Sequence, residues 1–294
     1  MRASSSLTWG GCTIPGDGRV PAVAVSLTGP TAAHARAQAR HAIDAGADVL
    51  ELRVDLLEEV DALVAFTEAP GEESSTTDSM VVTTAAAQVL ECLRRMADVV
   101  DATPLLLTCR TAAEGGRARL DDSGYGALLC SVLDELAGWE PGRRPSAIDV
   151  EVQRDCLPQV SEQAHGLGID VVASFHDFKT TPADDVLEDV LSRMASEGAD
   201  LAKIAVWPTS ADDVARLLGM CARAAAAPGE GTGLGLPVAA MSMGALGAVS
   251  RVAPVFGSAL TFAVVPDEQG ETQASAPGQL PIQDVRRCLE LLRA

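Results

Sequence analysis

The sequence predicts an α/β fold, a (β/α)8 TIM barrel with a short N-terminal β-hairpin capping one end. Three observations predict it. Eight short apolar or β-branched runs recur along the 294 residues, and runs this apolar fit parallel strands covered on both faces. Ala-rich amphipathic stretches separate them, the alternation of βαβ units. Neither GxGxxG nor GxxxxGK[ST] occurs, and the glycines at 229–235 miss both spacings and precede a strand. That favours a barrel over a doubly wound sheet built around a nucleotide. Length divided by about 150 residues suggests two domains, but α/β barrels of roughly 250 residues are single ones. Residues 1–294 are therefore expected to form one barrel domain, with 1–20 as an extension.

The elements follow in order. Gly16-Asp17-Gly18 is a turn signal and places the hairpin within residues 8–20. Strands are expected at 21–27, 48–53, 104–109, 147–151, 169–174, 200–206, 237–242 and 259–264. Helices are expected at 31–45, 84–98, 122–138, 182–197, 209–226 and 281–293. Thr181 before Pro182, and Ser210 before Ala211-Asp212-Asp213, read as helix starts. Two polar segments, 67–79 and 266–278, read as mobile loops. No long repeat is evident.

Composition excludes several classes. The chain is 47% apolar and 21% charged, as globular domains are. Its net charge of −19 argues against nucleic-acid binding, which needs a basic face. It also argues against docking on anionic membranes. No apolar run of about 18 residues suggests a membrane span. Met1–Ser6 carries no apolar run, so no signal peptide is expected. The cysteines number seven, lack CxxC spacing and sit mostly in apolar surroundings, such as Cys109, Cys130, Cys221 and Cys288. Reduced buried thiols and a cytoplasmic location are expected. No HExxH, Cys/His cluster or EF-hand loop points to a metal.

Of 22 basic residues, only Lys179 and Lys203 are lysines. Arg cannot replace Lys where a neutral nucleophilic amine is required. Lys203 sits in Leu201-Ala202-Lys203-Ile204-Ala205-Val206, where a poorly solvated ammonium favours that neutral amine. Lys179 is loop-like and reads as solvated. Barrel chemistry sits at the carboxyl ends of the strands. There His176 closes the fifth strand beside Lys203 on the sixth, an amine next to an imidazole, which suits a Schiff-base former with a general acid/base. His34, His41 and His165 read as ordinary helix residues. Glu51 and Arg53 share one strand face by the period of two. Arg53, Arg110 and Arg251 at one barrel end would cradle a carboxylate and hydroxyls, because the guanidinium fork holds both oxygens.

Together the motifs resemble the type I 3-dehydroquinate dehydratases of the shikimate pathway. The segments are VSLTG (25–29), ELRVD (51–55), LTCRTAAEGG (107–116), SFHDF (174–178), KIAVWP (203–208), MSMGALGAVSR (241–251), FGSALTF (256–262) and ASAPGQ (274–279). The resemblance implies a hydro-lyase that needs no cofactor or metal and converts 3-dehydroquinate to 3-dehydroshikimate and water. It implies that Lys203 forms a Schiff base with the C3 ketone. His176 would remove a C2 proton and then protonate the departing C1 hydroxyl, with Glu114 orienting it. Arg251 would bind the substrate carboxylate. Glu51, Arg53 and Arg110 would hold ring hydroxyls, helped by Ser26. Phe262, Ser275, Ala276 and Gln279 would close over the ligand. A homodimer is implied as well. The chain departs from the family at Phe175, where a small polar residue is expected, and in a longer acidic loop at 264–272. The segment 264–278 is expected to be a lid, with Asp267, Glu268 and Glu271 solvated at its tip.

Two other readings stay open. A class I aldolase is also a barrel with a Schiff-base Lys, but Tyr125, the one tyrosine, sits in a helical stretch. A catalytically silent metabolite-binding barrel would have lost Lys203 or His176, and both remain.

Overall fold

The structure, a computed structural model, describes residues 6–14, 20–64, 79–100, 103–226, 233–266 and 274–292. The chain opens with an antiparallel hairpin, β1 (Leu7–Trp9) and β2 (Cys12–Ile14). Its turn is Gly10-Gly11, with Gly10 at φ +55°. The expected turn at Gly16-Asp17-Gly18 lies outside the described residues; the described hairpin turns at Gly10-Gly11 instead.

Eight parallel strands follow: β3 (Ala22–Leu27), β4 (Val49–Arg53), β5 (Leu105–Thr108), β6 (Ala147–Glu151), β7 (Asp170–Asp177), β8 (Leu201–Val206), β9 (Val238–Ser242) and β10 (Leu260–Val264). Each pairs with the next, and β10 pairs with β3. Between β9 and β10 the barrel closes through an isolated bridge, Val238 to Ser258, with the Ala259 amide donating to the Val238 carbonyl at 2.8 Å. A short β11 (Leu280–Pro281) lies beside β10. Every expected barrel strand is found. β7 ends three residues later than expected and carries His176 within the strand.

The helices are α1 (Ala32–Asp44), α2 (Glu58–Val64), α3 (Ser79–Met96), α4 (Asp122–Leu136), α5 (Leu157–Gly166), α6 (Asp184–Ser196), α7 (Ala211–Ala224), α8 (Gly244–Gly247) and α9 (Ile282–Leu291). Ser210 caps α7 as expected, in a capping box with Asp213, a device worth about 1 kcal/mol. Thr181 does not cap α6. The cap position is Ala183, and the Thr181 hydroxyl instead donates to the Trp207 carbonyl at 3.1 Å. The sequence reading missed α2, whose apolar pattern is under two turns long. It also missed α5, because Pro158 reads as a breaker although proline fits the first turn of a helix. Residues 65–78 and 267–273, which hold most of the two expected mobile loops, lie outside the described residues. So do Asp267, Glu268 and Glu271.

Inward and outward residues alternate along each strand. The outward set packs against the helices in one large core. The inward set is layered. At the amino-terminal end of the barrel, Ala24, Val49, Leu106, Val172, Leu201 and Leu260 fill the interior, and the buried Trp9 and Ile14 of the hairpin close it. At the carboxyl-terminal end the inward residues are charged.

One short device sets the height of that charged layer twice. Gly46-Ala47-Asp48 precedes β4 and Gly198-Ala199-Asp200 precedes β8. Asp48 accepts from the Val23 amide and Asp200 from the Val171 amide, each at 2.8 Å. Both glycines have positive φ, +88° and +101°, where a side chain would strain the backbone. The pinned registers pair Ser26 with Glu51 and Ser174 with Lys203.

The hairpin plug yields a stability prediction. The Trp9 indole N–H donates to Asp170 at 2.8 Å, and burial pushes the Asp170 carboxyl above its ordinary range. Trp9→Phe keeps an apolar ring but orphans that acceptor, a loss of about 1–3 kcal/mol. The urea midpoint should fall while kcat stays at the wild-type value, because the plug lies at the opposite barrel end. An unchanged midpoint would show that the plug does not hold the barrel closed.

Candidate active site

Lys203 is the third residue of β8 and points into the barrel, 4% exposed. Its ammonium lies 3.1 Å from Asp149 Oδ2 and 3.4 Å from Glu51 Oε1. It also sits 4.7 Å above the centroid of the Phe262 ring. The sequence reading emphasised desolvation, which favours the amine. Two carboxylates from other strands face its side-chain nitrogen instead of apolar surroundings alone. Arg110 and Lys203 hold the Asp149 carboxyl below its ordinary range despite burial, and Lys203 and Arg53 do the same for Glu51.

The three arginines are not equivalent. Arg53 forms a fork with Asp55, Nε to Oδ1 and Nη2 to Oδ2, both 2.8 Å. Arg110 is clamped on three sides, by Asp149 at 2.8 Å, Ser174 at 2.9 Å and Glu151 at 3.1 Å. Among the described residues, Arg251 meets only carbonyl oxygens, those of Phe262 at 3.4 Å and Pro277 at 3.2 Å. Its Nε is buried without a partner, and burial pulls the guanidinium down to about 10. A buried cation lacking a counter-ion is a costly arrangement, and an anionic ligand relieves it.

His176 Nδ1 is 2.8 Å from Glu114 Oε2. Glu114 comes from the 3-10 turn Ala112–Glu114 after β5, which ends at Gly115 with φ +83°. A side chain at Gly115 would overlap the ring of Phe178. That ring lines the cleft and stacks on His176 at 6.5 Å. Burial, then the positive charges of Arg110, Lys203 and Arg53, push the His176 imidazolium well below the ordinary histidine value. Burial, then the negative charge of Glu151, pushes Glu114 up to about 8. The imidazole is thus neutral, with Nδ1 facing Glu114. Glu114 Oε1 has no partner.

These groups surround one cleft of about 450 Å³ at the carboxyl ends of the strands. It is lined by Lys203, His176, Glu114, Glu51, Arg53, Arg110, Arg251, Phe262, Ser275, Ala276 and Gln279. Ser26 is set back from the lining. It bonds the Glu51 carboxylate and receives the Ser275 hydroxyl at 2.8 Å, while Gln279 donates to Ser275 at 3.0 Å. Phe175 packs outward against the core beneath the helices and does not narrow the cleft. Lys179, His34, His41 and His165 lie exposed, as expected. Tyr125 is fully buried outside the cleft, its hydroxyl accepting from the Glu151 amide at 3.1 Å. The sequence reading missed Asp149, Ser174, Asp55 and Phe178. The signal for Asp149 was present: Ala147-Ile148-Asp149-Val150-Glu151 puts two acids on one face of a buried strand, which demands cationic partners. Among the described residues, no cluster of ligands fits a metal ion.

The type I 3-dehydroquinase family matches residues 23–294. The chain belongs to that family. A 3-dehydroquinate dehydratase of Klebsiella pneumoniae subsp. pneumoniae is 35% identical over 275 residues, 92% of each chain. One of Listeria innocua serovar 6a is 34% identical over 276 residues, again 92% of each. Among solved structures, the 3-dehydroquinate dehydratase of Geobacillus kaustophilus superposes with a TM-score of 0.79 at 27% identity, covering 99% of this chain and 97% of that one. The type I enzyme of Clostridium difficile, solved with covalently modified comenic acid, gives 0.78 at 28% identity, covering 99% and 98%. Membership in the type I 3-dehydroquinase family extends over the barrel and every cleft residue named above.

Proposed function

We propose that Lys203 is the nucleophile and His176 the acid/base of a 3-dehydroquinate dehydratase. The activity is that of a hydro-lyase. The observation that carries the residue assignment is the buried pair of Lys203 and a neutral His176, facing a cleft in which Arg251 has no acid partner among the described residues. The amine attacks the C3 ketone, and loss of water leaves an iminium. That cation draws electrons from the adjacent carbon and acidifies the C2 proton. His176 Nε2 takes the proton, since Nδ1 is committed to Glu114, and returns it to the departing C1 hydroxyl. Hydrolysis frees 3-dehydroshikimate and the amine. Arg251 binds the substrate carboxylate. Glu51 and the remaining donors of Arg53 and Arg110 meet ring hydroxyls, with Ser26 fixing Glu51. Phe262, Ser275, Ala276 and Gln279 cover the ring. The residues that the reading uses need no metal or diffusible cofactor.

We also infer a cytoplasmic homodimer made of one barrel domain per chain. The seven cysteines are free, and burial raises the thiol values of six, among them Cys92, Cys156 and Cys221 at about 12, which suits a reducing compartment. No helix among the described residues is long and apolar enough to cross a membrane. The segment 237–266 holds one charged residue, the buried Arg251. It exposes Leu246 and Val249 at 50% and Val255 at 83%. Two chains of charge −19 can meet there without opposing their charges.

Borohydride with 3-dehydroquinate should add one ligand per chain, on Lys203. Lys203→Ala should lose adduct and turnover. His176→Ala should still form the imine but turn over about 10²–10⁴-fold more slowly. An adduct on Lys179, or activity surviving in Lys203→Ala, would refute the assignment.

The Glu114 value fixes a pH limb. Below about 8 this carboxyl is protonated. Its O–H then faces Nδ1, the ring proton moves to Nε2, and the base is lost. So kcat/KM should rise with pH through that range. Glu114→Gln should flatten this limb and lower the rate at high pH by about tenfold. An identical limb in the variant would assign the titration elsewhere.

Val255→Asp places a charge in the proposed dimer face. Sedimentation should shift from two chains to one. Equal mass for both proteins would remove this face as the contact.

A further inference from the structure

We propose that Asp149 is a positioning residue that acts through Lys203: it fixes the side chain for attack and remains as the counter-ion of the iminium nitrogen. The inference rests on the Schiff-base reading above and deepens it.

Asp149 is wholly buried at the centre of β6. Its two oxygens have separate duties. Oδ1 receives Arg110 Nη2 at 2.8 Å and the Ser174 hydroxyl at 2.6 Å. Oδ2 faces Lys203 Nζ at 3.1 Å. The carboxylate is therefore anchored from β5 and β7 and aimed at β8. Asp149 is absent from the cleft lining, so it reaches the chemistry only through the lysine. Glu51 is the weaker contact at 3.4 Å, and its Oε1 is shared with the Thr108 hydroxyl at 3.0 Å. The charged groups facing Lys203 are thus Asp149 on β6 and Glu51 on β4. Arg110 stands behind Asp149, and His176 on β7 is neutral.

The step balances without Asp149 gaining or losing a bond. The Lys203 lone pair forms the C–N bond at the ketone carbon. Proton transfers convert the carbinolamine hydroxyl to water, which leaves. The nitrogen ends with one proton and a positive charge, directed at the same Oδ2 that had faced the ammonium. A buried cation keeps its partner through the reaction, which is what a pre-organised site requires. The chain Lys203–Asp149–Arg110–Glu114–His176, closed by Arg110 Nη1 to Glu114 at 3.5 Å and by the His176 bond, also holds nucleophile and base in one rigid frame.

Asp149→Asn is close to isosteric. Its amide oxygen keeps Arg110 and Ser174, but its NH2 meets the Lys203 ammonium donor to donor. We expect the pH at which borohydride trapping reaches half its maximum to fall by about one unit or more, because the ammonium loses an adjacent anion. Imine formation in a single turnover should slow by at least about tenfold. With substrate deuterated at C2, the isotope effect on kcat should shrink, since proton abstraction no longer limits. Asp149→Glu, which restores charge, should return the trapping profile toward wild type even if its rate is low. If Asp149→Asn fails to fold, Ser174→Ala leaves the charge but frees one anchor, and it should slow trapping without moving its pH midpoint. Wild-type trapping rate and midpoint in Asp149→Asn, or a slower rate with unchanged midpoint and isotope effect, would overturn the proposal. Absence of any adduct in the wild-type enzyme would instead overturn the Schiff-base reading, so the two failures are distinguishable.

Discussion

The buried charge layer at the carboxyl end of the barrel is the constraint on which the rest of this structure depends. Removing an ion from water costs several kcal/mol unless a partner replaces the water. Asp149, Glu151, Glu51, Asp55, Arg53, Arg110 and Lys203 are all buried. They are tolerable only because each faces an opposite charge at hydrogen-bond distance. Apart from Arg53 with Asp55, the partners come from different strands or the turns that follow them, so a slip in those registers would strand a charge. The lattice of ion pairs and the strand registers therefore enforce one another.

Against that closed bookkeeping, the exceptions identify the site. Arg251 is buried beside carbonyls, with no acid among the described residues. Glu114 has an oxygen without a partner and carries a raised carboxyl value. His176 is held neutral inside a positive field. None of these is a good way to stabilise a fold. Each becomes favourable once an anionic, hydroxylated ligand occupies the cleft, which is how a protein that belongs to a dehydratase family can hold binding energy in reserve for its substrate.

The other barrel end shows the complementary solution. There the interior is small and apolar, and the hairpin inserts Trp9 and Ile14 as a plug. Stability is concentrated at that end and chemistry at the opposite one, a division typical of barrels. The paired Gly-Ala-Asp starts of β4 and β8 connect the two layers. A strand pinned just before its start by Asp48 or Asp200 delivers its third residue, Glu51 or Lys203, to the charged level.

Local sequence determined a good deal. Apolar runs set all eight barrel strands, because strands covered on both faces have to be apolar throughout. Lys203 stood out because lysine is nearly absent from the chain, and the joint motifs carried the remaining cleft residues. Tertiary structure decided what depends on partners distant in the chain. It made Arg53 and Arg110 neutralised clamps and set Arg251 against carbonyls alone among the described residues, although in sequence the three look alike. It set Asp149 against Lys203 across 54 residues, and it turned Phe175 outward while His176 faced in. The helices α2, α5 and α8 also emerged only there, since packing rather than periodicity stabilises so short a segment or one with proline in its first turn. The physical reason is common to all of these: composition and period are local properties, whereas the state of a buried charge is set by whatever the fold places within about 3 Å of it.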